Sequence, residues 1–177
     1  MQDMPHDKTT LRILESAKNV FLQNGYQGAS LKAICHHAGI TTGAFYHRFS
    51  GKGELYKAVV APDLMKLLEM LNTSPAGAEQ SIIPKTCLMF VYLHLDVFKI
   101  VVRCKCTPYN GEFYSAIEEI IYQRLLKNNY AEDICRLLSK AYLASFFEII
   151  RCDYDFGTAR KCVGILEDFF APQETHC

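Results

Sequence analysis

Thr41, Thr42, Tyr46 and His47 stand close together in the chain, with Gly43 and Ala44 between them and Lys52 a little further on. Hydroxyl, phenol and imidazole groups exchange hydrogen bonds with base edges and with phosphate oxygens. Glycine and alanine keep the surface between such groups low, so that another backbone can come close. Carried on one short helix, this mixture suits entry into a DNA major groove. Thr42 and His47 are placed to reach base edges, and the Tyr46 hydroxyl to reach a phosphate. Lys52 falls at the start of a further helix, where its charge and the free N–H groups can hold a phosphate together.

The elements that must position these residues are legible around them. Ser30 can cap a helix whose residues Leu31, Ile34, Cys35 and Ala38 recur at i, i+3, i+4 and i+7. Gly39 follows, where a left-handed cap needs a residue without a Cβ. Ile40 can plug the corner, Thr41 can cap the second helix, and Phe45 and Phe49 point back inward. Upstream, Leu11, Leu14, Ala17, Val20 and Phe21 make the stripe of a first helix ending near Gly25, preceded by a polar arm. Lys8, Thr9 and Thr10 open that helix within reach of a phosphate.

From Leu11 to about Val59 the sequence resembles the N-terminal domain of the tetracycline-repressor (TetR) family of bacterial transcriptional regulators. The Phe-x-x-x-Gly-Tyr end of the first helix, the Ile-x-x-x-Ala-Gly-Ile turn and the Tyr-x-x-Phe-x-x-Lys run carry the resemblance. It implies a DNA-binding surface of Ser30, Thr41, Thr42, Gly43, Ala44, Tyr46, His47 and Lys52. It also implies a homodimer on a palindromic operator, and a small-molecule effector that lowers DNA affinity. Three features depart from the pattern: Cys35 with His36 and His37, Gly51 as the cap before Lys52, and Gly53 in the first turn of the next helix, which weakens that turn by roughly 1 kcal/mol against alanine.

The chain has 177 residues, 50% of them hydrophobic and 21% charged, with formal net charge zero. Zero net charge is unusual for a nucleic-acid binder. Its distribution is uneven: residues 1–60 hold seven Lys or Arg against four Asp or Glu, and the remainder holds the balancing acidic excess. A basic head on an acidic body suits contact with phosphate at one end. No secretory signal or membrane-length apolar run is legible, so the expectation is a cytoplasmic protein with its eight cysteines reduced.

No segment alternates with period two, and the fold expected is all-α. Residues 1–52 would form a three-helix helix-turn-helix domain and residues 53–177 a helical effector-binding and dimerisation domain. A fourth helix is expected from Lys52 to Leu71 with a kink or break at Pro62. The segments 72–77 and 107–111 read as loops, a break between two helices falls near Asp96, and a helix runs from Glu112 to Tyr130. In the last two helices Leu137, Leu138, Ala141, Ala144 and Ser145, with Val163, Leu166, Phe169 and Phe170, form the candidate dimer interface. Phe90, Tyr92, His94, Phe98, Tyr114, Tyr122 and Phe146 are the candidate effector-pocket residues, mixing flat apolar surface with hydroxyl and imidazole groups.

No phosphate-binding glycine loop, nucleophile elbow or His-Glu-x-x-His is present, and Glu118-Glu119 reads as a solvated face; neither an enzyme nor a cofactor is expected. An alternative body would sense oxidation through Cys104 or Cys106, beside Arg103 and Lys105, or metal through these thiols and His94. A helical interaction module without DNA binding is the third reading.

Overall fold

The computed structural model describes residues 7–73, 81–104, 107–127 and 131–170. Among them are nine helices and no strand: α1 (Lys8–Gly28), α2 (Leu31–Ala38), α3 (Thr42–Tyr46), α4 (Lys52–Thr73), α5 (Lys85–Leu93), α6 (Leu95–Arg103), α7 (Pro108–Lys127), α8 (Glu132–Arg151) and α9 (Phe156–Phe169). They pack as two compact units. One extends to Asp63 and takes in Asp96–Thr107; the other holds Leu64–Leu95 and the chain from Pro108 onward. The first unit is therefore larger than residues 1–52, because α4 as far as Asp63 and nearly all of α6 belong to it.

In the first unit α1 buries Ile13, Ser16, Ala17, Val20 and Phe21. Leu11, expected on that face, is 53% exposed, and Leu14 is half-buried. The stripe is turned because the Ser16 hydroxyl donates to the Ile34 carbonyl at 2.8 Å, drawing a polar position inward. Gly25 has φ +66°, a value open to glycine at little cost, so α1 kinks there and resumes to Gly28 instead of ending. Beyond the kink Tyr26 packs on Phe21 and Tyr56, with ring centroids 6.0 and 5.1 Å away.

α6 closes this unit. Val97, Phe98, Ile100, Val101 and Val102 are all buried. Its two ends are tied to α1: Lys18 meets Asp96 at 3.4 Å, and Arg103 donates to the Leu22 carbonyl at 3.3 Å. The break before α6 falls at His94, two residues earlier than Asp96, which is instead a favourable acid in the first turn.

α4 runs unbroken through Pro62, so the break expected there as one of two outcomes is not made. Pro62 lies on the exposed side, so water can serve the carbonyl that the missing N–H leaves unpaired. Asn72 and Thr73, expected in a loop, are the last residues of α4, with the Thr73 hydroxyl bonded back to the Glu69 carbonyl at 2.9 Å; residues 74–77 of that loop lie outside the described residues.

The second unit is built on α7, α8 and α9, with α5 against α9. The segment 108–111, also expected as a loop, is the first turn of α7, which a proline is well suited to open. The expected end of that helix, residues 128–130, lies outside the described residues. Asp155 caps α9 by accepting from the N–H groups of Gly157 and Thr158 at 2.8 and 3.1 Å. A part-buried polar network ties the elements together. Glu167 accepts from the N–H groups of Ile82 and Ile83 at 2.7 and 3.0 Å and from the Tyr142 hydroxyl. Arg124 donates to the carbonyls of Ile82 and Leu71 at 2.6 and 2.5 Å. Burial, with the neighbouring Glu167 carboxylate, pushes the Tyr142 phenol far up, so it stays protonated as the donor.

Candidate nucleic-acid interface

The caps that the sequence announces at Ser30, Gly39 and Thr41 are made. The Ser30 hydroxyl oxygen accepts from the Ala33 N–H at 3.1 Å, opening α2. Gly39, at φ +63°, closes it and passes its N–H to Cys35 and His36 carbonyls. A Cβ there would lie 2.5 Å from the Arg12 guanidinium, the end of a flexible exposed side chain that can move aside, so it is the left-handed backbone that calls for glycine. The Thr41 hydroxyl oxygen accepts from the Ala44 N–H at 3.1 Å, opening α3. In both caps the hydroxyl oxygen uses a lone pair, and its O–H remains a donor for an oxygen outside.

Phe45, buried completely, and Phe49 stack at 5.7 Å and hold α3 down. Around that anchor Thr42, Gly43, Tyr46 and His47 are exposed and Ala44 is half-buried. Tyr46 leaves 55% of its surface free, with its ring edge-on to Phe45 at 5.3 Å, so its hydroxyl is carried on a fixed arm. The structure thus brings Thr41, Thr42, Gly43, Ala44, Tyr46 and His47 onto one short element, with Ser30 at the start of the helix before it.

Lys52 has a second occupation. Its ammonium donates to the carbonyls of Ala29 and Gln27 at 3.1 and 3.4 Å and stands 4.6 Å above the Tyr26 ring. It therefore holds the chain just beyond the kinked end of α1 to the start of α4, and one of its three N–H groups is left over. Beside it the Ser50 N–H and hydroxyl both donate to the Glu54 carboxylate, at 2.6 and 2.7 Å, a cap that works one residue before Gly51. Those two bonds hold the Glu54 carboxyl below its usual range. Lys52→Ala is expected to lower stability by about 1 kcal/mol, seen as a fall of a few degrees in Tm, since it removes bonds from a charged donor at a partly exposed site.

Sequence reading missed Arg48 and Asp7. Arg48 donates through Nη1 to the Ala44 carbonyl at 3.2 Å and through Nη2 to Asp7 Oδ2 at 2.7 Å. The other oxygen, Asp7 Oδ1, caps α1 by accepting from the Thr10 N–H at 2.7 Å. The Arg48 guanidinium, together with the Thr10 N–H, holds the Asp7 carboxyl well below the usual carboxylate range. A cap residue at the start of α1 was readable from the Asp-Lys-Thr-Thr run; its partner 41 residues away was not.

In the second unit the outward groups of α8 and α9 are strongly apolar. Ile134, Leu137, Ile165 and Phe169 are 46, 69, 70 and 76% exposed. Ala141 and Ala144 are exposed among them, and Leu138, Ser145 and Leu166 are half-buried. Val163 and Phe170, expected on the same surface, are 6 and 5% exposed because they face the core of their own unit, and Ile165 takes the outward place.

The effector candidates divide. Phe98 is fully buried in the first unit, while the other six lie in the second. Tyr122 and Phe146 are core residues; the Tyr122 hydroxyl donates to Glu132 at 3.1 Å and Arg136 covers its ring at 4.7 Å. Phe90, Tyr92, His94 and Tyr114 are half-buried, with Phe90 against His94 and Tyr114 against Phe147 at 4.4 and 4.9 Å. Of the alternative sensor, Cys104 is 6% exposed, which shields it from oxidants, and Lys105 and Cys106 lie outside the described residues. Burial pushes the Cys35, Cys87 and Cys135 thiols up, away from the reactive thiolate.

A short capped helix that leaves small and hydrogen-bonding groups outward, seated on two others, defines a helix-turn-helix head. Residues 13–59 match the family model described as bacterial regulatory proteins, tetR family. Over 60 residues the chain is 40% identical to the HTH-type transcriptional regulator UidR of Escherichia coli K12, a match covering 34% of this chain and 31% of that protein. Over 59 residues it is 34% identical to the HTH-type transcriptional repressor AcnR of Corynebacterium diphtheriae, covering 33% and 31%. These matches span about a third of each relative. The whole fold resembles that of a TetR-like transcriptional regulator from Rhodococcus sp. RHA1, with TM-score 0.73 and 18% identity over 94% of this chain and 96% of that one. The likeness to the tetR family is carried by residues 13–59, the helix-turn-helix head, and over the rest of the chain it is a likeness of fold.

Proposed function

We propose that the protein is a transcriptional repressor that binds a palindromic operator as a homodimer and is released from it by a small-molecule effector. The observation that carries this is the exposed α3 surface of Thr42, Gly43, Tyr46 and His47 on a head in which α2 and α3 are both capped. Thr42 and His47 read base edges. The Tyr46 hydroxyl, the Ser30 and Thr41 O–H groups and the remaining Lys52 N–H take phosphates. AcnR, a relative of the head, bears the name of a repressor, and that supports the sign of regulation. The apolar outer faces of α8 and α9 support the dimer, and the half-buried Phe90, Tyr92, His94 and Tyr114 supply the mixed surface a small apolar ligand takes.

The test has two stages. Duplexes enriched from a random library by the protein should contain an inverted repeat with half-sites about one helical turn apart. Thermal-shift screening of metabolites and drugs should then yield a compound that weakens binding to that duplex. A tenfold loss needs the effector to prefer the unbound form by about 1.4 kcal/mol. Enrichment of no duplex would refute the DNA-binding role, and stabilising compounds that all leave operator affinity unchanged would refute the effector.

A further inference from the structure

We infer that Arg48 is a positioning residue for operator recognition, which locks the recognition helix α3 to the capped start of α1 through Asp7. The inference rests on the proposed DNA-binding role of α3 and adds to it the device that sets the angle of that helix.

α3 has five residues, and Phe45 is its buried side chain. A helix that short has little stability of its own. The stacked Phe45 and Phe49 rings fix its depth, yet a single anchor leaves rotation about itself. Arg48 removes that freedom. Its Nη1 serves the Ala44 carbonyl, a group of α3 itself, and its Nη2 reaches Asp7 at 2.7 Å. Because Asp7 Oδ1 accepts from the Thr10 N–H, the chain of bonds runs from an α3 carbonyl through the guanidinium and the carboxylate to an α1 amide. Arg48 Nε is buried with no hydrogen-bond partner. A guanidinium free to swing outward would hydrate that N–H; here the bonds at the tip hold it in place. The fork geometry also excludes lysine, which offers a point charge rather than two spaced donors.

The same placement ties the start of α1, where Lys8, Thr9 and Thr10 are expected within reach of a phosphate, to the α3 surface. Two contact sets on different helices then meet the duplex in fixed register. Asp7 is open to solvent and Arg48 half-buried, with side-chain exposures of 57% and 24%. Pairs so exposed add little to global stability. Their loss should therefore appear in recognition before it appears in folding.

Asp7 makes the test decisive, because its own charge repels phosphate. On electrostatics alone Asp7→Asn should tighten DNA binding; if Asp7 positions Arg48, it should weaken it. Asp7→Asn, Arg48→Gln and the double variant would be titrated with a duplex selected by the wild-type protein. Expected are losses of about tenfold for each single variant, no further loss in the double, an unchanged salt slope for Asp7→Asn and Tm within a few degrees of wild type. Amide exchange at His47 and Arg48 in the free protein should quicken in both single variants, a readout independent of DNA. Equal or tighter binding by Asp7→Asn overturns the inference. So does a loss in Arg48→Gln accompanied by a salt slope flattened by about 0.9, which would make Arg48 a phosphate contact instead. Failure of the wild-type protein to select any duplex while exchange still quickens would overturn the DNA-binding reading and leave Arg48 as a structural tie only.

Discussion

Gly43→Leu is expected to abolish specific operator binding while the protein folds as before. Gly43 is exposed in the first turn of α3, and its φ is not in the left-handed region. A Cβ there would meet only the Thr41 hydroxyl oxygen, at 3.9 Å, an ordinary contact. Leucine is the better helix former by about 0.7 kcal/mol or more, so the substitution does not cost α3 its structure. What it costs is approach. A branched side chain standing between Thr42 and Tyr46 holds the helix off the groove floor, and base-edge contacts worth about 1–3 kcal/mol each are lost together. Two such contacts amount to about thirtyfold or more in Kd. Sequence-independent binding, which runs through phosphates and falls steeply with salt, should largely remain. Fluorescence anisotropy with the selected duplex and a scrambled one separates the two. Gly43→Ala, which adds one methyl, should fall between. Wild-type affinity in Gly43→Leu would remove α3 from the groove.

The helix-turn-helix was legible because its signals are local. Ser30, Gly39 and Thr41 act on groups three or four residues away, so sequence spacing is nearly the whole of their geometry. The misread face of α1 shows where this ends. Leu11 and Leu14 outrank Ser16 on any hydropathy scale, yet Ser16 is inside, where its hydroxyl donates to the Ile34 carbonyl of α2. Arg48 has the same character: a basic residue near a recognition helix reads as a phosphate ligand, and only its contact with Asp7 shows it engaged elsewhere. The segment around Ile82 reads as an apolar run; its attachment to Glu167 and Arg124 comes from far along the chain. Aromatic residues of the body were the least legible. Phe98, Tyr122 and Phe146 on the one hand and Tyr92 and Tyr114 on the other have the same chemistry, and burial alone separates them. α9 was half readable, since two apolar stripes share one helix. Val163 and Phe170 fill the core, while Ile165 and Phe169 are left outward.

That outward stripe leads to the second large effect: Leu137→Glu combined with Ile165→Glu is expected to convert a dimer into a folded monomer that no longer holds its operator. Leu137 and Ile165 are 69 and 70% exposed, so neither supports its own protomer's core, and glutamate is harmless there in a single chain. Ala141, Ala144 and Gly164 lie exposed nearby, low enough for a partner helix to approach closely. Isologous pairing of α8 and α9 would place each substituted position in the interface twice, so two substitutions introduce four carboxylates. An unpaired buried charge costs several kcal/mol, well beyond what such an interface can absorb. Sedimentation velocity at micromolar concentration should show the shift from dimer to monomer, with unchanged helical circular dichroism. Operator binding follows from the same arithmetic. One head reaches few phosphates and a single half-site, so its affinity should drop toward the sequence-independent range of about 10⁻⁴–10⁻⁶ M, from about 10⁻⁸ M or tighter for two heads spaced about 34 Å on a palindrome. A wild-type protein that sediments as a monomer would refute the dimer directly. A charged variant that stays dimeric would move the interface away from α8 and α9, leaving Ile165 and Phe169 to some other partner.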